Sequence, residues 1–223
     1  YYTNIKYVSF TSGIMRKKDI ENQEHRYLNR SLWANLQSLK STVSFMQTGA
    51  HPDDETSRLL AKLSLDEGYY VSYVNAVRGQ GGQNSIGPER DDHLGALRTY
   101  ELLKAMSVLR VDIGWLADNR NSSIVDFGLS KSAEETFEFW DKNYTIKRMI
   151  RMVRAYKPDI IIPTFLDVEG QHGHHRSVTR ATIEAYDKSN DPEMFPDDNF
   201  GPWKISQIFL PAWSGGGGSY DDE

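Results

Sequence analysis

The chain has 223 residues, 39% of them hydrophobic and 12% aromatic, enough for one α/β-type domain with a sizeable core. A net charge of −5 argues against a nucleic-acid or anionic-membrane surface and favours a neutral or polar small molecule as ligand. The absence of cysteine excludes disulfides, thiolate nucleophiles and cysteine-held metal, so any metal site must be built from histidine and carboxylate.

Residues 1–42 read as an N-terminal extension: Tyr1–Gln23 is poorly patterned, and Leu28, Leu32, Leu36 and Leu39 then keep the period of a leading helix packed on the domain. The domain itself is expected over 43–213. Its first strand, Val43–Thr48, runs into His51-Pro52-Asp53-Asp54-Glu55. A helix starting near Asp53, or a tight turn leading into one, carries Leu59, Leu60 and Leu63 and stops at Gly68. Further strands are expected at Tyr69–Ala76, Val111–Ala117, Ile160–Phe165 and Ile205–Leu210, and helices at Asp91–Met106, Ala133–Asp141, Ile146–Tyr156 and Ser177–Asp187. The run Ile160-Ile161-Ile162 has the continuous β-branched character of a strand covered on both faces.

Strands alternating with helices predict βαβ units, hence a Rossmann-like, mostly parallel sheet with helices on both faces. Residues 214–223 read as a flexible glycine-rich tail or linker. No apolar run approaches the ~18–20 residues of a membrane span. The start at Tyr1 and the lack of cysteine suggest a processed or excised chain, with an extracytoplasmic compartment as the expectation and the oligomeric state open.

Ligands of open parallel sheets bind beyond the carboxyl ends of the strands, near the switch in strand order. Two histidine clusters fall at such ends: His51 after the first strand, and His172-Gly173-His174-His175 about 120 residues later, after the Ile160 strand. His51 and Asp54, three residues apart, suit a divalent ion at about 2.0–2.2 Å, and His175 supplies a third ligand. Asp53 is placed to take a proton from a water activated by that ion. His172 is left to donate to a developing oxyanion or a leaving amine. The bland alternatives are that Asp53, Asp54 and Glu55 merely favour a helix N-terminus, and that the later histidines form a solvated loop. Glu55 keeps only this helix-start role. His25 and His93 lack any pattern and read as ordinary surface or helix residues.

These residues resemble the PIG-L/LmbE-like zinc-dependent de-N-acetylases. His51–Glu55 is similar to that family's first signature, and His172–His175 to its His-x-Asp-His motif with His174 in place of the acid. Within about Ser44–Tyr186, Arg78–Asn84 resembles the family's glycine-containing loop, Arg98-Thr99-Tyr100-Glu101 its Arg-x-x-Glu, and Asp126 an acid in a substrate loop. The resemblance implies hydrolysis of the acetamide of an N-acetylglucosamine-type sugar. It further implies Zn²⁺ (or another divalent ion such as Fe²⁺) on His51, Asp54 and His175. Asp53 is then the base, His172 the stabilising group, and Arg98 and Asp126 substrate contacts. His174 puts the arrangement behind the ligands in question. The glycines at 79, 81 and 82 are expected to let a sugar approach the backbone, and Arg98 and Glu101 have the spacing of an exposed ion pair. Trp140, beside Phe137 and Phe139, is expected in the core. The competing functions are a non-catalytic glycan-binding domain and, because two histidines and a carboxylate also form a facial triad, a non-haem iron enzyme.

Overall fold

The computed structural model describes residues 36–119, 121–196 and 199–212. The expected extension up to residue 35, with Leu28 and Leu32, His25, and the glycine-rich tail lie outside the described residues. Five strands form one sheet: β1 (Ser44–Gly49), β2 (Tyr70–Asn75), β3 (Asp112–Trp115), β4 (Ile160–Pro163) and β5 (Gln207–Ile208). Their order is β3-β2-β1-β4-β5, and every pairing is parallel. The helices are α1 (Ser57–Ala61), prolonged by a π-helical turn over Lys62–Asp66, then α2 (Asp91–Leu109), α3 (Ala133–Trp140), α4 (Lys142–Tyr156) and α5 (Gly173–Lys188).

The expected sheet with helices on both faces is what the side chains build. On β4, Ile161 joins a core with Met149, Val153 and Val178 from α4 and α5. Its neighbours Ile160 and Ile162 turn to the other face, where Leu60 of α1 and Leu102 and Met106 of α2 close a second core. Successive strand side chains point to opposite faces, so a buried parallel strand must be apolar at every position. Trp140 is fully buried, as expected. Pro163 sits where β4 has outrun β5: the next donor, Thr164 N–H, reaches Thr48 O at 2.8 Å.

Several boundaries differ from the sequence expectation. α1 starts at Ser57, with no acid in its first turn, so Glu55 does not serve a helix start. Its carboxylate instead accepts the Asp53 N–H at 3.1 Å. α4 begins four residues earlier than expected because Asp141 caps it, accepting from Tyr144 N. α5 begins at Gly173, so His174 and His175 lie in its first turn rather than before it. Gly68 stops the first helical segment at φ +77°, and a side chain there would strike the Gln37 carbonyl. Among the described residues no helix is long and apolar enough to cross a membrane.

Ile161 is fully buried in the centre of the sheet, and Ile161→Ala leaves a cavity that α4 and α5 cannot collapse to fill. The expected loss is about 2–5 kcal/mol, read from the midpoint shift in a denaturant titration.

Candidate metal centre and catalytic site

The strand order reverses between β1 and β4, and both histidine clusters leave the sheet there. Beyond β1 the chain makes a tight turn, with Asp54 N–H to His51 O at 3.3 Å and Asp53 at φ 95°. The turn is braced by the Asp54 carboxylate, which accepts the backbone N–H groups of Ala50 and His51, each at 2.8 Å. Gln47, a buried amide beside Met46 and Thr48 in β1, fixes the exit. It donates to Thr56 Oγ1 at 2.9 Å and accepts Thr56 N–H at 3.0 Å. Beyond β4, His172 is the N-cap of α5 but makes no capping bond, which leaves its ring free to face the turn. A Thr48–Thr182 hydroxyl contact at 2.7 Å ties α5 to β1.

Three atoms converge between these elements: His51 Nδ1 and His175 Nε2 are 3.1 Å apart, His175 Nε2 and Asp54 Oδ2 3.4 Å, and His51 Nδ1 and Asp54 Oδ2 3.7 Å. A tetrahedral ion bound at 2.0–2.1 Å holds its ligand atoms about 3.3 Å apart, so the donor set and its spacing fit a divalent metal. Burial alone would favour a neutral Asp54, but His175 and His51 beside it hold its carboxyl well below the usual range. Burial lowers the His51 pKa too, and Asp54 more than offsets this, for a net rise. His175 Nδ1 lies 2.6 Å from Gln171 Oε1, an acceptor only, so the proton sits on Nδ1 and the Nε2 lone pair faces the site. The same oxygen accepts His172 N–H at 2.7 Å, and Phe165 stacks on the His175 ring at 4.1 Å.

The nitrogens of His51, His172 and His174 also lie close together. The His51 and His172 rings, however, stack 11° from parallel at 5.2 Å, an arrangement that does not aim two in-plane lone pairs at one point. The contact His51 Nε2 to His174 Nδ1, at 3.0 Å, is a hydrogen bond.

Asp53 stands at the mouth. Its carboxyl is pushed up by the protein packed around one side and by Asp54, against the pull of Arg98. Arg98 donates to Asp53 Oδ1 at 2.9 Å, Pro52 O at 2.6 Å and Gly79 O at 3.1 Å, turning to the Asp53 loop rather than to Glu101. A side chain at Gly79 or Gly82 would collide with that guanidinium, and one at Gly81 with Asp126. The glycines therefore make room for the protein's own side chains. Asp126 is buried, accepts Gly128 N–H at 3.0 Å, and lies 3.9 Å from His174 Nδ1. His172 Nε2 is 3.2 Å from the Gly128 carbonyl and so carries its proton there. Burial and the neighbouring His51 and His175 lower its pKa to about 4, which leaves it neutral near pH 7. His93 is exposed, as expected.

All seven sequence-predicted residues thus gather around one crevice. Sequence reasoning missed Gln171, Gln47 and Phe165. Gln47 carried a signal, a polar residue in a buried strand; Gln171 and Phe165 carried none.

The fold and site define a parallel α/β protein with two histidines and one carboxylate, a group that could hold a metal ion, at its topological switch point. The family profile described as PIG-L, GlcNAc-PI de-N-acetylase, matches residues 46–186, more than half of the chain, and the chain belongs to that family. A similar curated protein is the 1D-myo-inositol 2-acetamido-2-deoxy-alpha-D-glucopyranoside deacetylase 1 of Frankia alni, 30% identical over 183 residues, which are 74% of this chain and 61% of that one. Another is the mycothiol S-conjugate amidase of Streptomyces coelicolor, 26% identical over 71% of this chain and 57% of that protein. The chain spans between about half and three-fifths of the length of the first curated relatives it matches. Among solved structures, N,N'-diacetylchitobiose deacetylase from Pyrococcus horikoshii superposes with a TM-score of 0.57 at 22% identity, covering 87% of this chain and 69% of that one, a likeness of fold.

Gln171→Ala removes the acceptor that sets the His175 tautomer. Metal affinity, measured by chelator competition, is expected to fall about 10- to 100-fold while the fold is retained.

Proposed function

We propose that this chain hydrolyses the acetamide of an N-acetylglucosamine-type sugar or glycoconjugate, releasing acetate and a free amine. The observation that carries the reading is the convergence of His51 Nδ1, Asp54 Oδ2 and His175 Nε2, with the Asp53 carboxyl beside them at the mouth. Family membership and the activities for which the relatives are named, a 2-acetamido sugar deacetylase and an amidase, point to the same bond type.

His51, Asp54 and His175 would hold the ion, for which we propose Zn²⁺. Two neutral imidazoles and one carboxylate are a catalytic zinc set, and non-haem iron triads of the same composition belong to β-rich barrels rather than to a parallel α/β sheet. A bound divalent ion supplies Lewis acidity, which makes water nucleophilic near neutral pH and polarises an amide carbonyl. The protein's own groups do the rest. Asp53 accepts a proton from water as its oxygen bonds to the acetyl carbon. We assign His172 to the developing oxyanion; being neutral it has a single N–H, which must leave the Gly128 carbonyl and turn to the oxyanion as charge develops there. The carbon–nitrogen bond then breaks, and Asp53 returns the proton to the departing amine. Arg98 bonds both the Asp53 carboxylate and the Pro52 carbonyl, and we assign it to holding the base in place.

Asp53→Asn is expected to keep its metal and to lose about 10²-fold or more in turnover in an amine-release assay on N-acetylated sugars. Undiminished turnover in that variant, or release of amine unaffected by a chelator, would sink the proposal. Arg98→Ala is expected to lower kcat with little change in KM; a rise in KM alone would make Arg98 a substrate contact.

A further inference from the structure

The residue that departs from the family motif, His174, has a partner that the motif does not reveal. It does not reach for His172 at hydrogen-bond distance; it meets His51, with Nδ1 3.0 Å from His51 Nε2. Two ring nitrogens at that distance share one proton, and where the proton sits decides what the far side of His51 can do. With the proton on His51 Nε2, Nδ1 of His51 carries the lone pair that faces Asp54 and His175. With the proton on His174 Nδ1, a neutral His51 must carry its own proton on Nδ1, and that ligand position is blocked.

The residue is fully buried, stacked on Trp140 at 4.8 Å and 29° and meeting Phe127 at 4.6 Å and 78°. Its Nε2 has no hydrogen-bond partner among the described residues, whereas its Nδ1 meets His51 at hydrogen-bond distance. Metal ligation by His51 Nδ1 selects between the two states, because it requires the His51 proton on Nε2 and an accepting Nδ1 on His174.

We propose that His174 is a positioning residue that acts as a neutral acceptor, fixing His51 as the Nε2–H tautomer so that its Nδ1 is available as a metal ligand. Phe127 and Trp140 pack on the His174 ring and hold it in place beside His51. The inference rests on the metal assignment of His51, Asp54 and His175 and needs no substrate.

The test is zinc affinity by chelator competition in the wild type, His174→Phe and His174→Asn, with thermal unfolding as the check on folding. Phenylalanine fills the cage without an acceptor, and its affinity is expected to fall about 10- to 100-fold. Asparagine presents a carbonyl near the Nδ1 position and is expected to stay close to wild type. In the zinc-loaded wild type, ¹⁵N–¹H correlation of the imidazoles is expected to place the protons of both His51 and His174 on Nε2. A folded His174→Phe that binds zinc as tightly as wild type would overturn the proposal, and so would a His174 proton found on Nδ1. If His174→Phe does not fold, the wild-type tautomer decides. A wild type that binds no divalent metal refutes the proposed function instead, whereas a zinc-binding wild type inactive on every acetylated sugar leaves this inference standing.

Discussion

The pairing of β1 with β4 is the constraint on which the site depends. These strands are over a hundred residues apart in the chain, yet four residues of each run side by side, from Phe45 against Ile160 to Thr48 against Pro163. Because they are parallel, both end at the same edge of the sheet. Because the strand order turns back between them, neither exit is covered by a crossover. The burial of Ile161 on one face and Ile162 on the other fixes the register, since a slip of one residue would exchange the two faces. Two loops are thereby delivered to one point with little freedom left, and the ordering entropy of the ligands is met largely by the core.

On that frame, the site is a set of tautomers as much as a set of positions. Gln171 puts the proton of His175 on its outer nitrogen, the Gly128 carbonyl puts that of His172 on Nε2, and the two turn amides fix where the Asp54 carboxylate points. Each of these partners is backbone or a buried neutral group, so no cation beside the metal centre competes with the ion it would hold. The one charged partner, Arg98, is kept to the rim, where it serves Asp53.

The sheet was legible because buried parallel strands must be apolar at every position, and runs such as Ile160–Ile162 are rare outside them. Helix starts were legible at α2 and at α3, where Ser132 accepts the Glu135 N–H and the helix begins at Ala133 as expected; the Asp141 cap of α4 was hidden because that residue reads as the end of α3. They were illegible where the first turn is made of glycine and histidine, so α5 was read as starting only at Ser177. The candidate metal ligands and the candidate base announced themselves by local spacing. The partners of Arg98, His174 and Gly81 did not, because those contacts cross 18 or more positions, or join loops from different strands, and follow only from the completed fold. Glycines 79–82 show the difference well. Their composition fits a site for a ligand, and the structure fills the space with a guanidinium and a carboxylate.

Asp53 has a backbone that suits another residue. At φ 95° it occupies a region that glycine enters freely and an L-side chain does not. Replacing it by glycine would ease the turn and remove the carboxyl proposed to move the proton. A search for thermostable variants, or a redesign scored on backbone comfort, would drift toward that change and exchange the proposed base for a sturdier turn. A residue that holds its backbone where glycine is at ease is therefore one to read for chemistry before it is read for stability.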